Sequence, residues 1–499
     1  MVWMGLGVAL VMVLMVAIHD LTQKKHAILR NFPVVGHARY FFERIGPELR
    51  QYIVTGNNEE RPFSRDQRAW VYASAKKENN LRGFGSDERL ETSPNFIIIK
   101  HAAFPWRPPE DYASDPSFRI PVSKTLGGWR KRPGAFVPDS TVYVSAMSYG
   151  SLSSAAVVAL NQGCAMAHAL HNTGEGGIAP YHDQGGDLIY QLGTGYYGAR
   201  TPDGRCDLEQ LARRCTEHQV RVVEIKLSQG AKPGKGGILP AKKVTPEIAE
   251  IRGIPVGKSC ESPAYHREFS DVPGLVAFVE RVAEATGLPV AIKAAVGDTA
   301  FWADLADHMA ATGQGPDMIH VDGGEGGTGA APLVFSDHVA LPFKIGFSRV
   351  YNEFLRVGLH EHIVFAGAGR LGFPEEALLA HAMGCDMIAV AREAMMAIGC
   401  IQAQKCHTGH CPTGVATQQK WYMRGLDPTL KSARLANYLV TLRKEVLALC
   451  HACGVDHPSK VDLARIELID DRFGSRPASE VFGLPPVRPS SGAGVEGRA

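Results

Sequence analysis

Residues 362–391, HIVFAGAGRLGFPEEALLAHAMGCDMIAVA, decide the fold. An apolar run (HIVFA) leads through a glycine loop into a helical segment that stops at Gly384, and a second apolar run (MIAVA) follows. Two strands joined by a helix run parallel, and strands of a sheet covered on both faces read as near-continuous apolar runs. The unit recurs upstream. From about Thr141, short apolar runs alternate with helical stretches: VYVSA (142–146), HALHN (168–172), VRVVEIK (220–226), GIPVG (253–257), PVAIK (289–293) and MIHV (318–321). In the helical stretch 270–287, Ser270 or Asp271 is the N-cap, and Leu275, Phe278, Val279 and Val282 form one stripe. With HIVFA and MIAVA the strands number eight. The predicted class is α/β, a closed (β/α)8 TIM barrel whose chemistry sits on the loops after its strands.

Those loops are rich in glycine and polar groups. Ala146-Met147-Ser148 follows the first strand, and Asn172 begins a loop that holds Glu175. VRVVEIK runs into Lys226, Gln229 and Lys232, and MIHV into Gly323, Gly324, Gly327 and Thr328. Glycines let backbone N–H groups approach a phosphate-bearing ligand closely. GAGRLG (367–372) matches GxGxxG after a strand, but only one strand follows it, whereas a dinucleotide fold needs more. In a barrel the loops after strands seven and eight form the usual phosphate site. Gly369, Arg370 and Arg392 are therefore read as holding the phosphate of a mononucleotide such as FMN. Lys293 ends a buried strand, where an ammonium must meet negative charge. It either stabilises a reduced flavin or pairs with a neighbouring acid. Glu175 is an acid/base candidate, or a loop carboxylate bonding backbone amides.

The run CIQAQKCHTGHCP (400–412) places three thiols in twelve positions. Thiolates this dense, with Pro after the last, suit an iron–sulfur cluster on Cys400, Cys406 and Cys411. Zinc held with His407 or His410, and inert buried thiols, are the alternatives. Cys450 and Cys453 read as structural, although one could supply a fourth ligand.

A chain of 499 residues, 45% hydrophobic, can bury a large core, and a net charge of +2 gives no electrostatic case for nucleic acid. The cysteines lack a secreted disulfide rhythm, which suggests a reducing compartment. Residues 2–18 carry no charge, and Asp20, Lys24, Lys25 and Arg30 follow. That pattern reads as a single-pass anchor with the body in the cytoplasm, a buried N-terminal helix being the alternative. The expected organisation is an anchor (1–19), an extension packed on the barrel (20–135), the FMN-binding barrel with its cysteine loop (136–420) and a C-terminal helical tail (421–499).

Six blocks together resemble the FMN- and iron–sulfur-containing synthase domain of glutamate synthase: SAMSYGSLS (145–153), HNTGEGG (171–177), QLGTGYYG (191–198), EIKLSQGAKPGKGGILP (224–240), DGGEGGTGAAP (322–332) and GCIQAQKCHTGHCPTGVATQ (399–418). The resemblance implies a (β/α)8 barrel, FMN and a [3Fe–4S] cluster on the three cysteines. It implies reduction of 2-iminoglutarate, formed from 2-oxoglutarate and ammonia, by hydride from FMN, with electrons arriving through the cluster. By position, Glu175, Lys226 and Lys232 then surround the 2-oxo acid. Ser148, Gln191, Lys293, Gly369 and Arg370 face the flavin. The chain departs from the family pattern at Lys235 (a Glu there), Ile238 (a Gln), Tyr196 (an Arg) and Ala391-Arg392-Glu393. It opens on an apolar segment where a Cys-led glutaminase domain would stand. Ammonia is therefore expected from elsewhere, and electrons from a ferredoxin, a reductase or a membrane carrier. Other expectations left open are a different 2-oxo acid or N-substituted amino acid, a non-catalytic membrane electron-transfer subunit, and a homo-oligomer.

Overall fold

The computed structural model describes residues 2–81, 83–86, 88–110 and 115–485. The chain divides into two compact units, the first ending at Ala69 and the second beginning at Trp70. In the first, helix α1 (Val2–Thr22) has no charged residue before Asp20. Its stretch Trp3–Thr22 has a mean hydropathy of 2.1, and only 6% of it is buried. Twenty helical residues rise about 30 Å, the thickness of a hydrocarbon core, so length and composition suffice to cross a membrane. Asp20 is buried where the chain turns back. Its carboxylate accepts the Val34 N–H at 2.9 Å and lies 3.0 Å from His37 Nε2.

In the second unit eight parallel strands close into a barrel. They are β1 (Val142–Val144), β2 (His171–Asn172), β3 (Leu188–Leu192), β4 (Val220–Lys226), β5 (Val290–Ala295), β6 (Met318–Asp322), β7 (Val364–Ala368) and β8 (Met387–Val390). Each pairs with the next, and β8 closes onto β1 through Ile388↔Val142. The expected strand at GIPVG is overturned. Residues 253–257 are irregular chain after a short helix, Pro246–Arg252, which ends on Gly253 with φ 65°. Pro255 has no N–H to give a ladder. Its place belongs to β3, LIYQL, a run the sequence reading passed over.

Side chains alternate across each strand, so every second residue points inward. Leu170, Ile189, Val222, Ala291, Met318, Val364 and Met387 form an apolar floor in the closed end. Val122 and Leu126, on a segment ahead of β1, complete it. That segment is clamped by Lys124, which donates to His360 O, Ile363 O and Asp386 at 2.7–2.9 Å, and by Arg132, which bonds Glu280 and Asp317.

Outside the barrel, helix α2 (Ser154–Ala167) packs on the long helix Pro428–Ala452. Ser153 caps the start of α2 by accepting the Ala156 N–H. The buried Arg443 guanidinium donates to Ala167 O at 2.7 Å, satisfying a carbonyl that the helix end leaves open. Ile97–Ile99 pairs antiparallel with Ile466–Ile469, which pairs in turn with Ser475–Pro477.

Candidate active site

Strand alternation that builds an apolar floor lower down brings polar residues inward nearer the mouth. A cavity of about 450 Å³ opens there, within the range that holds a cofactor or drug-sized ligand. Glu175, Lys226 and Lys232 line it together with Ala146, Met147, Ser148, Gln191, Gln229 and Lys293. So do Gly327, Thr328, Gly369, Arg370, Arg392 and Cys406. Asn172 sits beneath, its side chain bonded to Glu224. Gly323 and Gly324 stand outside the lining: their N–H groups bond Ala368 O and Leu341 O, and a Cβ on Gly323 would fall 2.6 Å from Phe343. Cys400 and Cys411 also lie outside it.

Lys226 and Lys293 are register partners on β4 and β5, so two ammonium groups enter the mouth side by side. Each meets an acid. Lys226 Nζ is 2.9 Å from Glu175 Oε1, and Lys293 Nζ is 3.6 Å from Asp322 Oδ2. Glycines admit the Glu175 carboxylate, since a Cβ at Gly193 or Gly237 would come within 2.5 or 2.6 Å of its oxygens. Burial pushes the Glu175 carboxyl up, but Lys226, Lys232 and Arg252 outweigh it and hold the group below its ordinary range. Burial, aided by Lys226 and Lys235, lowers the Lys232 ammonium against the pull of Glu175. Lys226 is braced from behind: His266 Nε2–H donates to Lys226 O at 2.9 Å, and Tyr196 OH donates to His266 Nδ1 at 2.9 Å. Tyr196 therefore supports the site through His266.

Arg370, in the left-handed region with φ 58°, and Arg392 bring two guanidiniums to the loops after β7 and β8. Burial and Arg370 both lower the Arg392 pKa, Glu393 and Glu325 opposing them. A phosphate would relieve that repulsion, so this donor set fits a mononucleotide. Gly369 leaves no room for a side chain, as a Cβ would lie 2.4 Å from Phe343 Cβ.

In the cysteine loop, burial raises the Cys411 thiol. The N–H groups of Ala416, Thr413 and Val415 and the Thr413 hydroxyl outweigh it and favour thiolate. Lys243 donates to Cys406 O at 3.1 Å and lines the cavity, so it joins the two regions. Among the described residues no three His, Cys, Asp or Glu side chains converge to hold a metal ion.

Sequence reasoning missed Glu224, His320, Lys243 and Arg252. The first two carried a signal, a charged or polar residue inside an apolar strand (VRVVEIK, MIHV). Arg252 was hidden by reading a strand where its helix ends.

A model of the conserved region in glutamate synthase matches residues 133–456. This chain belongs to the glutamate synthase family of oxidoreductases. Among its family relatives, the glutamate synthase large subunit-like protein YerD of Bacillus subtilis (strain 168) is 35% identical over 484 residues, 91% of this chain and 92% of that protein. The archaeal NADPH glutamate synthase of Methanocaldococcus jannaschii is 33% identical over 324 residues, 64% of this chain and 60% of that one. A solved flavocytochrome b2 with sulfite bound aligns at TM-score 0.45 and 13% identity over 87% of both chains.

Proposed function

We propose that this glutamate synthase-family chain reduces the imine of a 2-oxo acid and ammonia, 2-oxoglutarate giving glutamate. FMN would occupy the cavity, and Cys400, Cys406 and Cys411 would hold a [3Fe–4S] cluster. One observation carries the reading: the Glu175 carboxylate stands among Lys226, Lys232 and Arg252, at a cavity that Arg370 and Arg392 also line. Those groups match a small anionic substrate beside a phosphate-bearing cofactor. The relatives named as glutamate synthases support the same chemistry.

When bound, FMN would supply the hydride and the cluster its electrons. The protein's own residues bind and move protons. Lys226 and Lys232 present ammonium groups to the substrate carboxylates. Glu175, kept ionised by them, is placed to take or return a proton at the reacting oxygen or nitrogen. The amide nest around Cys411 favours its thiolate, which supports the cluster, while at Cys406 burial and Cys411 raise the thiol against the pull of Lys243. Electrons would come from a separate donor: a ferredoxin, a reductase or a membrane carrier. Helix α1 would anchor the chain, with the bases after it on the cytoplasmic side.

A second reading, another 2-oxo acid, rests on Ile238. This apolar residue lines the cavity, while Lys235 lies over the Phe335 ring at 5.0 Å.

The test is anaerobic reduction of the purified protein, then addition of 2-oxoglutarate with ammonium. The flavin colour should return as glutamate forms. Return with a different 2-oxo acid alone would select the second reading, and no return with any would end both.

A further inference from the structure

Beneath the cavity floor lies a polar cluster that the proposed chemistry does not use. Glu224, Asn172 and His320 have no exposed surface, and Gln191 has 2%. A carboxylate in such a place is costly unless its oxygens are bonded. Glu224 accepts from three side chains: Asn172 Nδ2 at 2.8 Å, Gln191 Nε2 at 2.6 Å and His320 Nδ1 at 2.9 Å. Burial pushes its carboxyl up, but His320, Lys293 and Gln191 bring it down to about 2, so it stays ionised.

The chemistry of a carboxylate then dictates the orientation of both amides. Being acceptor-only, it requires each amide to turn its NH₂ inward and its carbonyl outward. The Asn172 carbonyl accepts the Gly174 N–H at 3.0 Å, which secures the loop that carries Glu175. The Gln191 backbone N–H is taken by Thr173 Oγ1 at 3.2 Å, so main chain and side chain are both tied. Gln191 lines the cavity, and among the described residues nothing donates to its side-chain carbonyl.

We propose that Glu224 is a positioning residue, which locks the Gln191 amide so that an acceptor oxygen faces the bound ligand. The matching ligand group is an N–H or O–H donor. On the FMN reading, on which this inference rests, it is the imide N–H of the flavin ring. An apolar core of equal volume would stabilise the barrel without the desolvation cost of Glu224. The charge is therefore assigned to orientation, with preset dipoles doing work that mobile ones cannot.

The experiment is a double-mutant cycle on protein loaded with FMN, read as the flavin midpoint potential. Glu224→Gln frees Gln191 to turn its NH₂ toward the ring and removes a negative charge, so the reduced flavin gains. The expected change is about tenfold in the oxidised-to-reduced affinity ratio, a rise of about 30 mV for a two-electron couple. In a Gln191→Leu background only the loss of charge remains, because the amide that Glu224 orients is gone, and the same substitution should change the ratio less than threefold. Equal shifts in both backgrounds, or none in either, would overturn the proposal. If Glu224→Gln fails to fold, Glu224→Asp shortens the side chain while keeping its charge, and the same cycle applies. Failure of the wild-type apoprotein to take up FMN would instead condemn the flavin reading itself.

Discussion

Glu175 pairs with Lys226 at 2.9 Å, yet Lys232 and Arg252 also act on the same carboxylate. One acid serves three cations. The site therefore carries surplus positive charge before any substrate arrives, and that surplus makes the protein testable.

Glu175→Gln should tighten substrate binding while it slows the reaction. Unit charges 4 Å apart interact by about 4 kcal/mol at an effective dielectric of about 20. Allowing for screening, the Kd of 2-oxoglutarate at low salt should fall roughly tenfold. Loss of the acid/base group should cut kcat by about a hundredfold or more. Calorimetric titration and steady-state kinetics read the two effects, and weaker binding would show that the carboxylate organises the cations rather than competing with the substrate.

Lys232→Ala should weaken 2-oxo acid binding by about tenfold, the scale of one charge-assisted hydrogen bond, and FMN binding hardly at all. Equal losses would put Lys232 against the flavin. Its pKa is lowered by burial and by Lys226 and Lys235, against Glu175. The ammonium is the binding form, so KM for the 2-oxo acid should rise as pH climbs through that lowered pKa, below the usual lysine range. The pH profile of the Ala variant should lack this limb.

Cys406→Ser and Cys411→Ser should each abolish the cluster's EPR signal and leave most of the FMN bound. Cys411 is the sharper case, because the N–H groups of Ala416, Thr413 and Val415 already favour its thiolate. An intact signal in either variant would remove that thiol from the ligand set.

Gly163→Ala should destabilise the protein even though alanine favours helix by about 1 kcal/mol. The new Cβ would lie 2.7 Å from Leu435 Cβ and 2.8 Å from Ser432 O, one of them backbone. Overpacking of this kind costs about 1–3 kcal/mol. Steric cost wins. A lower urea midpoint at unchanged slope would show it, and a raised midpoint would mean that the two helices can separate freely.

Seven of the eight strands were legible because a strand buried on both faces is apolar along its length. LIYQL was passed over: Gln191 interrupts the run, and that glutamine faces the cavity rather than solvent. GIPVG misled because Ile254 and Val256 mimic a strand, although Gly253 ends a helix and Pro255 cannot join a ladder. Glu175 and Lys232, on loops, and Lys226, at the end of β4, could be picked out by type and place. Their mutual electrostatics could not, because Glu175 lies on a different stretch of chain from the two lysines.

By itself the sequence determined the barrel class, the glycine-rich loops at its mouth, the apolar N-terminal helix and the run of three cysteines. These are local properties, written in periodicity and spacing. Only the tertiary structure decided that Lys226 and Lys293 enter side by side, that Lys243 links the cavity to the cysteine loop, and that Glu224 gathers Asn172, Gln191 and His320. Those relationships arise when the barrel closes and strand register brings distant side chains to one interior, where low dielectric makes each charge and each hydrogen bond count.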